Sequence, residues 1–498
     1  MELGTPADPR SRASGCIHQR ASATVRLAAM AACISVIVAV GFAERVPAQW
    51  AGVCIMSAFV MTTVSYILSV DIVFGMYYLV SYIYTIFTQI AYVAFPSKLS
   101  VVSGGQYYGA EWFWPFYAFT FASFFGAFLL FVVFRSWHQH LRCFRLTDSR
   151  PTARLGKVAF VALILIHNLV MVYYTATRYE SLGYYTQGVL KSDKLFFFGF
   201  AFYQYTIYAS YVNWREYSTA GWGRSVAVVI LMISILIFLT ICVRAGQRIE
   251  IVALCVGLFV YLLAERKPRS ALGMYLGAFC VGIGIFGFVN AIRMLRGSQI
   301  HLAHVANLLL TQPGKFVTLT LEDAVFQDYC GPSLTLVTSM YYGRVDPIEA
   351  VKSLVANSLV FLDVPSLGER VSRFIEPYGT RGYGYYVFTE GFEVMGWAGF
   401  IYNAVIMNLG ISLWRPLLRT GNGSFTRYMT GIMAMGVFSV ARGTSSSYLK
   451  SIYMYFVPCI VLFCLMSGAR PCLPVSRWTY GWRTSRASMR RGERNLRH

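Results

Sequence analysis

Two arginines and a glutamate lie close together in the segment Arg244-Ala-Gly-Gln-Arg248-Ile-Glu250. Guanidinium groups are planar and bind phosphate through two parallel hydrogen bonds. The segment is a short turn between two apolar runs, which confines both arginines near the level of lipid headgroups. We therefore predict that this turn binds a phosphate or diphosphate group. The alternative is ordinary contact with lipid headgroups, in which the aliphatic stem of each arginine is buried and its charged group stays in water.

More basic residues lie in two polar stretches of the chain: Arg344, Arg370, Arg373, Arg381 and, in an earlier loop, Arg178. Basic side chains above a membrane would help to hold a diphosphate carried by a lipid. The alternative is a solvated surface, because Asp346, Glu369 and Glu376 are near in sequence.

The third candidate is a carboxylate, Glu390, which follows the flexible segment Gly382-Tyr-Gly384. It is predicted either to act as an acid or base or to contact a substrate hydroxyl. The alternative is that it stabilises the positive N-terminus of a helix. The later Gly396 and Gly399 would let another helix approach closely.

His301 and His304 are one helical turn apart, and a histidine can act as a general base near neutral pH. Structural packing is the alternative for this pair. No third ligand accompanies them, so no metal is predicted. No cofactor is predicted either, because the G-x-G-x-x-G at Gly282, Gly284 and Gly287 lies inside an apolar run and not after a strand.

Composition identifies the kind of fold that must position these residues. The chain has 498 residues, of which 56% are hydrophobic and 13% are charged, and its formal net charge is +21. Soluble domains are about one quarter charged. The composition therefore excludes a cytosolic enzyme, and its apolar majority excludes a nucleic-acid-binding protein despite the positive charge. A polytopic membrane protein fits both numbers.

Twelve apolar runs are long enough to cross a membrane as helices, which takes roughly 20 residues. They lie at about 27–43, 49–70, 72–95, 113–134, 158–174, 196–214, 226–243, 249–264, 272–292, 392–414, 428–443 and 451–468. The predicted fold class is an all-α polytopic membrane protein with about twelve transmembrane helices.

The distribution of Lys and Arg orients these helices, because basic residues collect on the cytoplasmic side. The rule predicts both termini in the cytoplasm. It divides the chain into a cytoplasmic segment 1–26, helices one to nine in 27–292, an extracytoplasmic segment 293–391, helices ten to twelve in 392–468, and a basic cytoplasmic tail 469–498.

The long segment 293–391 is predicted to form a helical cap on the outer face, with a turn at Gly331-Pro332 and a short amphipathic helix at 347–361. The centres of the predicted helices hold almost no charge, His167 being the main exception. Any site is therefore expected at the outer membrane surface and not inside the bundle.

The glycines and the glutamate in the spacing Gly-x-Gly-x5-Glu-x5-Gly-x2-Gly at 382–399 resemble those of bacterial O-antigen or oligosaccharide repeat-unit polymerases. Gly246-Gln-Arg248 is similar to a Gly-x-Arg element of that family, and Asp363-Val-Pro365 to an element upstream of the glutamate. The resemblance extends to the topology of the whole chain. The segment before Glu390 is rich in tyrosine, where the family has small residues.

This resemblance implies an enzyme of the bacterial cytoplasmic membrane that needs no cofactor. It would transfer a growing glycan from undecaprenyl diphosphate to the next lipid-linked unit at the outer leaflet. Arg248 and Arg244 would hold the diphosphate and stabilise the leaving group, and Glu390 would be catalytic. The residues that would bind diphosphate or glycan are Arg178, His304, Arg344, Arg373 and Arg381.

The implied partners are lipid-linked glycans, membrane lipid and a regulator of chain length, with no nucleic acid. Besides a structural or regulatory membrane protein, against which the outer arginine turn argues, two alternatives stay open. One is an O-antigen ligase, which hands the glycan to lipid A core. The other is a polysaccharide flippase or transporter, for which we expect charge within the bundle and short outer loops.

Overall fold

The computed structural model describes residues 48–94, 110–134, 145–148, 153–177, 194–218, 221–245, 249–265, 307, 310–314, 330–344, 346–358, 385–418 and 423–472. In these ranges the chain is almost entirely helical. The helices are α1 (Ala48–Val70), α2 (Ile72–Ala94), α3 (Phe113–Phe134), α4 (Ala153–Thr177), α5 (Lys194–Val212), α6 (Trp222–Ala245), α7 (Ile249–Glu265), α8 (Gly331–Tyr342), α9 (Pro347–Ser358), α10 (Val387–Met395), α11 (Gly399–Leu418), α12 (Gly423–Ala441), α13 (Ser446–Ser451) and α14 (Val457–Ser467).

Four short irregular helical turns in the described ranges adjoin these helices. Two are 3-10 turns, Ala110–Trp112 before α3 and Gly396–Ala398 between α10 and α11. Two are π-helical, Asn213–Tyr217 after α5 and Ile452–Phe456 between α13 and α14. Two strands, β1 (Arg145–Asp148) and β2 (Ala469–Cys472), pair antiparallel with Arg145 opposite Cys472.

Seven helical stretches in the described ranges are long and apolar enough to cross a membrane, as an all-α multi-pass protein requires. They are Ala48–Leu68, Ile72–Val93, Phe113–Phe134, Leu155–Thr177, Trp222–Cys242, Val387–Leu418 and Ser446–Ser467. Each corresponds to a predicted span. The predicted spans at 196–214, 249–264 and 428–443 are helices but are not among the seven, and those at 27–43 and 272–292 lie outside the described residues.

Many serine and threonine side chains in these helices donate a hydrogen bond to the backbone of their own helix. Thr62 donates to the carbonyl oxygen of Ala58 at 2.7 Å, and Ser234 donates to that of Ile230 at 2.9 Å. In an apolar environment a hydroxyl group has no water to bond with. A hydrogen bond to the carbonyl oxygen four residues earlier removes the cost of leaving that hydroxyl unpaired. Serine and threonine therefore do not interrupt the apolar runs.

One end of the bundle, which we call the Asp71 end, is organised by an aspartate between α1 and α2. Asp71 Oδ1 accepts a hydrogen bond from the Phe74 backbone at 3.0 Å and caps α2, while Oδ2 accepts one from Arg415 Nε at 2.7 Å. The Arg415 guanidinium also lies 5.8 Å from the ring centroid of Phe131. The last turn of α11 is thereby fixed to the first turn of α2 and to the end of α3.

Other segments predicted to be cytoplasmic meet in the same region. Thr426 donates to the carbonyl oxygen of Leu418, which joins the start of α12 to the end of α11. Arg427 pairs with Glu216 at 3.1 Å, and Lys157 donates to the Tyr217 carbonyl oxygen at 2.9 Å. The charge distribution predicts that these helix ends lie on the cytoplasmic side. In the described residues they contact each other. Which side faces the cytoplasm stays a prediction.

We expect Arg415→Gln to destabilise the protein by roughly 3 kcal/mol, because removing one partner leaves a charged group largely buried and unpaired. Asp71→Asn should cost a similar amount. The double variant should lose much less than the sum of the two single losses. Thermal unfolding of the purified chain in detergent measures all three. Arg427→Gln is the control, since its ion pair with Glu216 is more exposed, and additive losses for the Asp71 and Arg415 variants would show that the pair is not coupled.

Candidate functional site

Helices α10 and α11 do not form one continuous helix but fold back on each other as a hairpin. Asn403 Nδ2 donates to the Phe388 carbonyl oxygen at 3.3 Å, although the two residues are 15 positions apart. A continuous helix would separate them by about 22 Å. The single predicted span at 392–414 is therefore wrong in its first part, because a separate helix begins at Val387 and ends at Met395.

Three glycines make this hairpin possible. Gly396, at the turn, has a φ of +62°, a backbone conformation that L side chains rarely adopt. A Cβ on Gly399 would overlap the Gly391 carbonyl, and a Cβ on Gly391 would overlap the Gly399 carbonyl oxygen and the Asn403 amide. The predicted close approach at Gly399 thus occurs, with α10 as the partner helix, whereas Gly396 serves the turn.

The first helix of the hairpin begins deep inside the bundle. The Tyr386 hydroxyl lies 2.5 Å from Thr85 Oγ1 and 3.3 Å from the Ser81 carbonyl oxygen, both near the middle of α2. Ring contacts then place Phe388 beside Phe124 in the middle of α3, and Phe392 beside Phe119, closer to the start of α3. Helix α10 thus runs towards the end of the bundle where α3 begins, which we call the Trp112 end. Helix α11 returns to the Asp71 end.

Glu390, the carboxylate singled out in the sequence, is fully buried in the first turn of α10. Its Oε1 accepts a hydrogen bond from the Tyr402 hydroxyl on α11, and its Oε2 accepts one from the Ser445 backbone at 2.6 Å. Glu393, one turn later, is also buried. The prediction of a bundle without interior charge is therefore wrong, because both carboxylates lie inside it and not on its outer surface.

The second partner of Glu390 belongs to a tight turn between α12 and α13, residues Arg442–Ser445, which we call the Arg442 turn. The Gly443 backbone donates to the Val440 carbonyl oxygen at 3.1 Å, which tightens the end of α12. Thr444 Oγ1 lies 2.5 Å from Ser446 Oγ. The turn therefore presents the Ser445 backbone donor to the buried carboxylate, with two further hydroxyl groups, those of Thr444 and Ser446, close by.

Arg442 also interacts electrostatically with Glu250 at the start of α7. Glu250 ends the Arg244–Glu250 segment that the sequence singled out as a phosphate-binding turn. The Arg442 turn is thus bonded to Glu390 through Ser445, and its arginine is close enough to Glu250 to influence that carboxylate electrostatically.

Two helices from the segment predicted as an outer cap pack against the hairpin. Gly331-Pro332 begins helix α8 instead of forming a turn, as a proline in the first helical turn allows. Thr335 Oγ1 on α8 lies 2.9 Å from Thr389 Oγ1 on α10. Ser333 Oγ on α8 lies 3.0 Å from Thr88 Oγ1 on α2. Residues 331–339 are all buried, so this part of the segment belongs to the core.

Helix α9 confirms the predicted amphipathic helix, with bounds of Pro347–Ser358. Its buried Ala350 and Leu354 pack against Tyr385, just before α10. The Tyr385 hydroxyl has no hydrogen-bond partner among the described residues. Glu390 and Glu393 lie near this buried phenol. Tyr385 is therefore a neutral, unused donor beside the two carboxylates.

The other predicted site residues differ in how much of each the structure describes. Arg344 is exposed, and its Nη1 lies 3.0 Å from the position of a Cβ on Gly396, so its guanidinium covers the tip of the hairpin. Arg244 belongs to the last turn of α6, but its side chain is outside the described structure. The residues that lie outside the described ranges altogether are Arg178, Arg248, His301, His304, Arg370, Arg373 and Arg381.

His167 behaves as a packing group. Its Nε2 lies 3.1 Å from the Gly199 carbonyl oxygen, and its ring contacts those of Phe202 and Tyr203. Among the described residues, no three His, Cys, Asp or Glu side chains come together as a metal site would require.

The residues missed by sequence reasoning are Tyr402, Arg442 and the hydroxyl run at 444–447. A signal was present, because Arg-Gly-Thr-Ser-Ser-Ser at 442–447 places a basic and strongly polar segment between two apolar helices. An arginine on the side predicted to be outer departs from the positive-inside rule. That departure could have identified the turn.

Comparison of the chain with protein-family models, with curated proteins and with solved structures finds no match.

The hairpin makes a direct stability prediction. We expect Gly399→Ala to cost about 1–3 kcal/mol or more, because the new methyl group would overlap the α10 backbone and the helices would have to separate. Thermal unfolding in detergent measures the loss. Gly423→Ala is the matched control, since a Cβ there has no atom within 4 Å. Equal melting temperatures for the two variants would contradict the close contact of α10 with α11.

Proposed function

We propose that this chain is a membrane glycosyltransferase that joins lipid-linked oligosaccharide repeat units into a polysaccharide. The observation that carries the proposal is Glu390, a carboxylate buried in a re-entrant helix and oriented by Tyr402 and Ser445. An acid that is held at both oxygens inside an apolar bundle is costly, and such groups are rare unless they serve a function. In the resembled polymerases, a glutamate follows the paired glycines at this spacing.

The proposed reaction needs a base, a stabiliser for the leaving group and a lateral path for lipid. Glu390 accepts the proton of the acceptor sugar hydroxyl as that oxygen attacks the anomeric carbon of the donor glycan. The bond from that carbon to the diphosphate breaks, and undecaprenyl diphosphate leaves. Arg248 and Arg244 stabilise its developing charge. Arg344, whose guanidinium covers the tip of the hairpin at the Trp112 end, is a further positive group of the proposed site.

Membrane depth is relevant to this proposal. Glu390 lies in the half of the bundle that ends at the Trp112 end, which the charge distribution predicts to face away from the cytoplasm. In the bacterial cytoplasmic membrane, that half corresponds to the outer leaflet, where lipid-linked repeat units are polymerised.

The same hairpin favours a second candidate, a transporter or flippase of lipid-linked glycans. Broken helices whose ends lie inside the membrane, with an ionisable residue beside them, are common at transport sites. Interior charge was the feature that the sequence lacked for this alternative, and Glu390 and Glu393 supply it.

A complementation experiment separates these functions. In a strain that lacks this chain, we expect Glu390→Gln to lower polymer formation roughly a hundred-fold or more, the loss typical of removing a general base. Single repeat units should remain on the surface lipid, and a glycan ladder on a gel measures the result. Glu349→Gln is the matched control. Glu349 lies on α9, and its ion pair with Lys352 is exposed, whereas Glu390 is buried.

Other outcomes would overturn the proposal. Full-length polymer from Glu390→Gln, at a protein level equal to that of the wild type by immunoblot, would exclude Glu390 as the base. Lipid-linked units that accumulate on the inner leaflet of the deletion strain would favour the flippase. Free polymer with none attached to lipid A core would favour the ligase.

A further inference from the structure

A groove between α4 and α6 opens at the Asp71 end of the bundle, on the opposite side of the membrane from Glu390. It encloses a cavity of about 250 Å³. The α4 wall is formed by Lys157, Phe160, Val161 and Ile164. Residues at positions i, i+3, i+4 and i+7 share one face of a helix, so these four form a continuous stripe.

The opposite wall repeats that spacing on α6, with Gly223, Val226, Ala227 and Ile230. Both helices begin at the Asp71 end, since Lys157 is near the start of α4 and Gly223 near the start of α6. The two stripes therefore run side by side from the membrane boundary into its apolar region. Polar or small residues come first in each stripe, and the deeper positions are apolar.

The head of the groove is closed by the π-helical turn after α5. Asn213, Tyr217 and Ser218 line it there, and Lys157 Nζ donates to the Tyr217 carbonyl oxygen at 2.9 Å. An ammonium group has three donors, and the described residues use one of them, which leaves two for a ligand. The nearby Glu216 does not neutralise Lys157, because its carboxylate pairs with Arg427 and accepts from Tyr261.

The surface around the groove is apolar and exposed, as a surface in contact with lipid would be. Leu155 and Val158 on α4 are 79% and 67% exposed, and Trp222 at the start of α6 is 87% exposed. Tryptophan at this level is typical of the membrane–water boundary. Arg224 lies 5.7 Å over the Trp214 ring and adds a second positive charge at the same end. A membrane lipid can therefore enter the groove sideways, with its head at Lys157 and its chain along the apolar stripes.

We infer that this groove binds an anionic phospholipid, whose headgroup phosphate accepts hydrogen bonds from Lys157 while one acyl chain lies between α4 and α6. A positive polar head above an apolar channel matches the charge and polarity of such a lipid along its length. The site is independent of the proposed glycosyltransferase activity, because it lies at the other end of the bundle from Glu390.

Native mass spectrometry of the full chain in detergent, titrated with phosphatidylglycerol or phosphatidylcholine, tests the site. We expect retention of phosphatidylglycerol over phosphatidylcholine, and a roughly ten-fold fall in that retention for Lys157→Gln, the loss typical of one charge-assisted hydrogen bond. Lys157→Arg should restore it. Ala227→Phe, which fills the apolar channel and keeps the charge, should lower retention of the lipid as well.

Lys352→Gln is the control, because it removes an exposed lysine from α9, far from the groove. Equal retention of both lipids by the wild type, or unchanged retention in Lys157→Gln, would overturn the inference. Displacement of the lipid by millimolar inorganic phosphate would show a phosphate site instead of a lipid site. Melting temperatures of the variants identify any loss of lipid retention that results from misfolding. If Lys157→Gln is misfolded, the retention of phosphatidylglycerol by Lys157→Arg decides whether the groove binds the lipid.

Discussion

A carboxylate inside an apolar bundle must have both of its oxygens paired, because an unpaired buried charge costs several kcal/mol. Glu390 meets this requirement with donors from two different parts of the chain, Tyr402 on α11 and Ser445 in the Arg442 turn. The pairing fixes α10 against α11 on one side and against the junction of α12 and α13 on the other. The positions of four helices in the described bundle therefore depend on one side chain.

The hairpin could not close around that carboxylate without backbone contact between its two helices. Gly391 and Gly399 supply the contact, and Asn403 then reaches across to the Phe388 carbonyl oxygen and to Ser123 on α3. The Asn403 amide nitrogen, which would be costly to bury unpaired, thus finds acceptors on both neighbouring helices. The second polar region of the bundle, around Asp71 and Arg415, follows the same rule at the membrane boundary.

The spans predicted from hydropathy agree with the structure where length and composition alone decide. Helices α1, α2 and α3 begin and end within one residue of the predicted bounds. The hairpin was missed because residues 387–418 form one apolar run, and hydropathy does not depend on the direction of the chain. The chain reverses at Gly396, whose φ is positive. The sequence does not reveal this, because a glycine in an apolar run indicates close helix packing as readily as a turn.

The site was predicted in part for a similar reason. Glu390 was identified by its spacing from glycines, a local property, but its depth in the bundle is set by the contacts of the nearby Tyr386 with Thr85 and Ser81 on α2. Tyr402 and Ser445 become its partners only after α11 and α12 have packed. Their role is therefore a tertiary property. The polar segment at 442–447 could have indicated a turn, but no pattern of neighbouring residues indicates that the turn contacts Glu390.

The two proposed functions place opposite demands on the hairpin. A transporter must move such an element between two arrangements, and each bond that holds Glu390 would have to break and form again in every cycle. An enzyme must hold its base within a fraction of an ångström of one position. The backbone contact at Gly391 and Gly399, the paired oxygens of Glu390 and the bond of Tyr386 to α2 all resist movement. This density of fixed contacts is what a catalytic carboxylate needs, and it is the physical reason for preferring the glycosyltransferase to the flippase.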